Sequence, residues 1–182
     1  MADEPQVPAP GDAAVAEGFD ELMAQVATAM VIVTVSVDGE ASGCLVGFHT
    51  QCSINPRRYA LWLSKANHTY ELALRAHTLA VHFLDDGDGP LAELFGGLTG
   101  DEVDKFERTG WAPGPGGVPL LDDCGHRLVL ARHAFFDAGE DHVCLVGDPI
   151  AASIDDGFAP LRLTDVDYIE PGHEAEEECH HG

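Results

Sequence analysis

The sequence predicts a single, mainly β domain, an antiparallel barrel with helices inserted between its strands. Runs of β-branched and apolar residues recur along the chain, as at residues 30–37, 79–84 and 142–154. The dipeptide Asp38-Gly39 between two such runs is a hairpin signal. The sequence contains neither G-x-G-x-x-G nor G-x-x-x-x-G-K-[ST], the glycine-rich signatures of nucleotide-binding parallel sheets. Strands joined by hairpins therefore favour an antiparallel barrel over a parallel sheet.

The change between helical and β periodicity sets the order of the predicted elements. They are a helix over residues 19–28, strands over 30–37 and 41–49, a polar loop over 50–58, a strand over 59–63, a helix over 69–76, a strand over 79–84, short helices near 91–95 and 101–108, a loop over 110–119, and strands over 127–136 and 142–154. We expect one domain over residues 18–170, flanked by disordered acidic segments at 1–17 and 171–182.

The charge of the chain limits its partners. It has 32 acidic and 9 basic residues, a formal net charge of −23, and this field repels phosphate backbones. We therefore expect no nucleic-acid partner. No apolar stretch is long enough to span a membrane and no secretory leader is visible, so we expect a cytoplasmic protein. The five cysteines form no C-x-x-C pair, which favours reduced thiols and no metal site.

The densest polar region runs along residues 49–69. One part of it, residues 50–55, is a predicted loop, and residues 64–69 lead into a predicted helix. Hydroxyls, an ammonium group and the N–H groups of a helix N-terminus are the groups that bind phosphate. The alternative is structural, in that Asn67 and Thr69 cap the helix while Lys65 is solvated. The residues alone leave both interpretations open.

A second candidate is Asp141-His142, which follows a tight turn and opens a predicted strand. A histidine at a barrel mouth would titrate near neutral pH and serve catalysis. The alternative is a turn histidine without a chemical role. A serine or cysteine hydrolase is a poor fit, because the sequence has no G-x-S-x-G motif.

Several short motifs follow one another in an order that is informative. They are the helix start at residues 19–23, Asp38-Gly39, Ser53-Ile54-Asn55-Pro56, the segment 65–69, "LAVHFL" at 79–84, "LAELFGG" at 91–97, "DKFERTGW" at 104–111 and "EDHVCLVGDP" at 140–149. Each motif is weak by itself, but their shared order over residues 18–155 is specific. The chain resembles the flavin reductase-like family, whose fold is the FMN-binding split barrel.

The resemblance implies a homodimer that binds flavin at the subunit interface. The cofactor it implies is FMN, or alternatively FAD, with NAD(P)H as a transient co-substrate. By position, His142 would lie near the face where hydride is exchanged. The implied flavin contacts are Cys44, Leu45, Val46 and Gly47 along the ring, and Thr50, Gln51, Cys52, Ser53, Ser64, Lys65, Asn67, His68 and Thr69 along the ribityl chain and phosphate.

The chain also departs from the family pattern. The family usually carries T-A-[SN]-[SA] where this chain has Leu45-Val46-Gly47-Phe48, and a serine at the position of Gln51. The expected function is an NAD(P)H:flavin reductase, for example the reductase of a two-component monooxygenase. The alternatives are a non-catalytic flavin-binding or storage protein, a barrel that uses another flavin-like cofactor such as a deazaflavin, and a cofactor-free interaction module.

Overall fold

The structure is a computed structural model that describes residues 11–98, 103–170 and 172. Its helices and strands are α1 (Ala13–Val26), β1 (Val31–Val37), β2 (Glu40–Val46), β3 (His49–Ile54), β4 (Arg57–Ser64), α2 (His68–Arg75), β5 (Thr78–Phe83), α3 (Gly89–Gly96), β6 (Trp111–Pro113), β7 (Pro119–Leu121), β8 (Arg127–Phe136) and β9 (His142–Ser153). Short 3-10 helices lie at Lys105–Glu107, Pro115–Gly117 and Leu163–Asp165. None of the helices in these described ranges is long and apolar enough to cross a membrane.

Seven strands form one sheet in the order β2-β1-β5-β8-β9-β4-β3, and all its pairings are antiparallel. One apolar cluster joins Cys44 and Val46 of β2 to Leu61 and Leu63 of β4, near the other edge of the sheet. Because strands from both ends of the sheet share a core, the sheet curls into a barrel. The predicted fold class, a mainly β split barrel with inserted helices, is confirmed.

Helix α2 packs against this core through Leu72 and Ala73. Its N-cap is Asn67, whose Oδ1 accepts a hydrogen bond from Thr69 N at 2.9 Å. The helix therefore begins within one residue of its predicted start, at the end of the segment that follows β4. This places residues 64–69 beside the end of β4.

A second apolar layer covers the other face of β1 and β2, with Ile32 and Phe95 at its centre. Gly43 makes this close packing possible, because a Cβ there would lie 2.8 Å from Phe95 Cε1. Lys105 is buried in this layer, and its Nζ donates hydrogen bonds to Gly43 O at 3.2 Å and Phe95 O at 3.0 Å. Burial lowers the pKa of Lys105. The ammonium group thus ties β2 to the end of α3.

Two segments predicted as loops contain strands. The loop expected over residues 50–58 is β3 and the start of β4, and the loop expected over 110–119 contains β6 and the approach to β7. Strand β3 lies at the edge of the sheet and most of its side chains are exposed. An exposed polar edge strand shows no apolar alternation, so its sequence is typical of a loop.

The helices also differ from the prediction at their ends. Helix α1 begins at Ala13, inside the segment expected to be disordered, because Asp12 Oδ1 caps it by accepting a hydrogen bond from Ala14 N at 3.0 Å. The helix expected over residues 101–108 is the shorter Lys105–Glu107 turn, and residues 99–102 lie outside the described residues. Residues 1–10 and 173–182 of the predicted tails lie outside them as well.

Candidate functional site

The outer face of β3, β4 and β9 carries polar and aromatic side chains side by side. Leu61 and Leu63 of β4 belong to the barrel core. Since side chains alternate along a strand, Trp62 and Ser64 lie on the outer face. In the pairing of β4 with β9, Trp62 lies opposite Cys144 and Ser64 opposite His142.

Phe48 and Thr50 extend this surface. Phe48 O accepts a hydrogen bond from Trp62 N at 2.9 Å, and the Phe48 and His142 ring centroids are 5.3 Å apart. The Phe48 side chain is 60% exposed. The outer patch, as we name this surface, consists of Phe48, Thr50, Trp62, Ser64, His142 and Cys144. A surface of flat apolar rings beside hydroxyl groups suits a planar ligand with polar substituents.

Lys65 lies where β4 leaves the patch. Its N–H donates to Asp141 O at 2.9 Å, which attaches the segment to the turn that precedes His142. Its Nζ lies 2.8 Å from Asp137 Oδ1 in an ion pair. This hydrogen bond raises the pKa of Lys65 and lowers the pKa of Asp137. The predicted phosphate cation is therefore near the patch, and it has a carboxylate partner.

His142 is held at the start of β9 by its neighbour. Its Nδ1 lies 3.1 Å from Asp141 Oδ1, and 28% of the His142 side chain is exposed. The hydrogen bond to His142 lowers the pKa of Asp141. The imidazole is thus oriented by a carboxylate on one side and contacts Phe48 on the other.

Behind the patch, His49 connects three parts of the chain. Its Nε2 donates to Ala29 O at 2.7 Å, because a carbonyl oxygen can only accept, and its Nδ1 lies 2.6 Å from Tyr59 Oη. Burial lowers the pKa of His49 and raises the pKa of Tyr59 to about 12. These contacts fix β3 against β4 and thereby support Phe48 and Thr50.

The structure brings part of the predicted flavin site together. Eight predicted contacts are exposed or half-buried and lie on β3 or between the end of β4 and the start of α2, namely Thr50, Gln51, Cys52, Ser53, Ser64, Lys65, Asn67 and His68. Gln51 Nε2 donates to Ser53 O at 3.1 Å. The roles predicted for these side chains stay predictions.

Three other predicted contacts have buried side chains, namely Cys44, Val46 and Thr69. Thr69 Oγ1 lies 2.9 Å from Ser42 Oγ and also forms a hydrogen bond with the Cys44 thiol, whose pKa burial raises to about 11. The Thr69 hydroxyl is thus turned into the core and does not cap α2, whose side-chain cap is Asn67. The flavin contacts predicted for these three residues stay predictions.

Leu45 and Gly47 occupy the positions where the chain departs from the family pattern. Leu45 packs against α3, where even a Cβ built on Gly96 would lie 2.8 Å from Leu45 Cδ2. Gly47 lies close to Met30, because a Cβ built on Gly47 would be 3.5 Å from Met30 Sδ. The Leu45 side chain thus packs against α3, and the flavin contacts predicted for Leu45 and Gly47 stay predictions.

Sequence reasoning missed three residues of this region as site candidates, Phe48, Trp62 and Asp137. The Leu-Trp-Leu alternation at residues 61–63 was the available signal for Trp62, since it places the indole opposite two core leucines. Phe48 and Asp137 meet their partners only through the pairing of β4 with β9 and the β8–β9 turn, which no local pattern reveals.

Comparison with known proteins gives a consistent result. The family model described as "Flavin reductase like domain" matches residues 23–168. The FMN reductase (NADH) RutF 2 of Rhizobium rhizogenes is 31% identical over 154 residues, which cover 82% of this chain and 86% of that protein.

Two solved structures share the fold. The NADH:FAD oxidoreductase SgcE6 of Streptomyces globisporus C-1027 has a TM-score of 0.73 at 23% identity, covering 86% of this chain and 90% of that chain. The nitrilotriacetate monooxygenase component B homologue of Mycobacterium thermoresistibile has a TM-score of 0.71 at 21% identity, covering 82% of both chains. At these identities, each likeness is one of fold.

Proposed function

Because this chain belongs to the flavin reductase-like family, we propose that it is a nicotinamide-dependent reductase that passes hydride to FMN. The observation that carries the proposal is the outer patch, where Phe48 and His142 lie together beside Lys65. NADH is the favoured donor. The Rhizobium rhizogenes relative is named for it, and a chain of net charge −23 disfavours the additional phosphate of NADPH.

The residues of the patch fit FMN by their chemistry. Phe48 and Trp62 offer apolar ring surface to a flat heterocycle, and Thr50 and Ser64 offer hydroxyl groups to a ribityl chain. Lys65 offers the cation that a phosphate needs. Bound FMN supplies the hydride acceptor. The contribution of the chain is to bind both partners, orient them and limit water around them.

His142 is the residue we assign to the nicotinamide. Its ring lies on the patch in contact with Phe48, and its Nδ1 is held by Asp141. An imidazole fixed in this way can orient the carboxamide of a nicotinamide without moving itself. Its proposed role is therefore in positioning the hydride donor.

We propose further that the working form is a homodimer. Helix α1 contains no buried residue, and an apolar face of Val15, Phe19, Leu22, Met23 and Val26 is exposed. A helix of 14 residues is marginal alone in water, so this face needs a cover. A second copy is the cover we propose, with the patch near the interface.

The proposed compartment is the cytoplasm, and the proposed consumer of reduced flavin is a separate monooxygenase. The free thiols of Cys44, Cys52, Cys124 and Cys144 support a reducing compartment. The fold shared with a monooxygenase component supports such a partner. A non-catalytic flavin-binding or storage protein is the second candidate. The third is a cofactor-free interaction module, which is favoured by Leu45 at a position where the family usually carries a hydroxyl.

The test compares two phenylalanines of the same kind. Phe48 is 60% exposed on the patch, and Phe158 is 40% exposed after β9, next to His126. Phe48→Ala should weaken FMN binding about threefold to tenfold, the value of one aromatic contact, while Phe158→Ala should leave it unchanged. Flavin fluorescence gives the affinity and NADH absorbance gives the turnover.

Each outcome of this test has a definite meaning. Equal effects of Phe48→Ala and Phe158→Ala would place the flavin site away from the patch. Tight FMN binding by the wild-type protein without FMN-dependent NADH oxidation would support the storage protein instead.

A further inference from the structure

The one lysine assigned to the phosphate is already engaged. Lys65 Nζ lies 2.8 Å from Asp137 Oδ1, and the same oxygen accepts a hydrogen bond from Gly139 N at 2.9 Å. The carboxylate is therefore anchored in the turn between β8 and β9. The pair raises the pKa of Lys65 and lowers the pKa of Asp137, so both groups are charged at neutral pH.

The same arrangement recurs at neighbouring basic groups. His68 Nε2 lies 3.2 Å from Glu40 Oε1, and His142 Nδ1 lies 3.1 Å from Asp141 Oδ1. The proposed phosphate site lies near the start of α2 and the start of β9. Its basic side chains Lys65, His68 and His142 thus each have a carboxylate beside them. A dianionic phosphate therefore meets no surplus of positive charge here, within a chain of net charge −23.

Stability does not account for the Lys65–Asp137 pair. The two side chains are 32% and 48% exposed, and ion pairs at such positions contribute little to folding. We therefore expect the pair to affect ligand binding more than folding. A flavin phosphate must displace or share Asp137 to reach Lys65, whereas a flavin without phosphate meets no such competition.

We propose that Asp137 is a specificity-determining residue that competes with the flavin phosphate for Lys65. This competition keeps phosphorylated flavin weakly bound, so that flavin enters and leaves as a substrate and does not stay as a resident cofactor. The inference rests on the proposed flavin site. The new element is that Asp137 determines how tightly the flavin is held at that site.

The decisive variant is Asp137→Asn. The amide retains an oxygen that can accept from Gly139 N, but it removes the charge that competes for Lys65. The dissociation constant for FMN should fall about tenfold, the worth of one charge-assisted hydrogen bond, while that for riboflavin should not change. FMN binding by the variant should also become more sensitive to salt, because a Lys–phosphate pair is then formed without breaking another pair.

The matched control is Asp38→Asn. Asp38 also forms an exposed ion pair, with Arg75 at 3.0 Å, but at the C-terminal end of α2. The Asp38→Asn substitution changes the net charge by the same amount as Asp137→Asn, and it should leave the ratio of FMN to riboflavin affinity unchanged. Adding Lys65→Met to Asp137→Asn should abolish the gain in FMN affinity.

The outcomes separate this inference from the proposed function. Equal gains with Asp137→Asn and Asp38→Asn would overturn it in favour of overall charge, and equal gains for FMN and riboflavin would overturn it in favour of a contact outside the phosphate. Binding of both flavins with no change in Asp137→Asn would overturn this inference alone. A wild-type protein that binds neither flavin would overturn the proposed function together with it.

Discussion

His82 lies wholly inside the molecule, where its neighbours decide its protonation. Its Nε2 accepts a hydrogen bond from Leu121 N at 3.1 Å, so Nδ1 carries the hydrogen and donates to Ile32 O at 3.2 Å. Burial lowers the pKa of His82 to about 4, with the charge of Arg127 adding to the effect and the hydrogen bond to Ile32 opposing it. The folded chain thus requires the neutral ring.

This requirement makes stability depend on pH in one direction. Because the pKa of His82 is lower in the folded state than the ordinary value of 6.5, its contribution is complete above that value and is lost as the pH falls towards 4. The loss is of the order of 3 kcal/mol. The variant His82→Gln keeps a hydrogen-bond acceptor but does not titrate. The gap in free energy of unfolding between wild type and variant, measured with urea, should therefore narrow as the pH falls. A gap that stays constant from pH 7 to pH 4.5 would contradict the assignment.

Individual residues also show what a sequence can predict. Asn67 was identifiable as a cap, because its residue type and its place before a helical pattern are local facts. The carboxylate partner of Lys65 was not, since Asp137 approaches it only after β8 and β9 have formed their hairpin. The buried state of Thr69 has a similar origin, because its contact Ser42 lies on β2.

At the scale of elements, α1 is a helix without a buried residue. Its apolar face was evident from the spacing of Phe19, Leu22, Met23 and Val26, yet the face meets no core of its own barrel. Strand β3 is the opposite case. Its polar residues predicted a loop, yet the segment pairs with β4 as a strand. Periodicity reports which side of an element is apolar, and pairing decides what that side contacts.

If a second copy covers α1, a charge on its apolar face should separate the subunits. Leu22→Glu should raise the dimer dissociation constant at least tenfold, because each subunit loses a buried leucine worth about 1.5–3 kcal/mol. Ala24→Glu adds the same charge on the opposite side of α1 and should leave the dimer intact. Sedimentation velocity at micromolar concentration measures both. A wild-type protein that sediments as a monomer would refute the dimer.

For the whole molecule, the order of weak motifs predicted more than any one motif. It led to the family that the domain model confirms over residues 23–168, and with it to the split barrel. The composition limited the candidate cofactor contacts, since a chain of net charge −23 has few cations to bind an anionic cofactor. Local patterns predicted the segments of the candidate site. Only the pairing of the strands shows that Phe48, Trp62 and His142 share one surface.

The central claim is that NADH reduces FMN on the outer patch. The direct test mixes the protein, saturated with added FMN, rapidly and anaerobically with NADH and follows the loss of flavin absorbance in wild type and His142→Ala. We expect rapid bleaching by the wild-type protein, and bleaching about tenfold slower in His142→Ala with FMN affinity nearly unchanged, because a positioning group is lost. No bleaching by the wild type would contradict the claim, and equal rates in the two proteins would remove His142 from the mechanism.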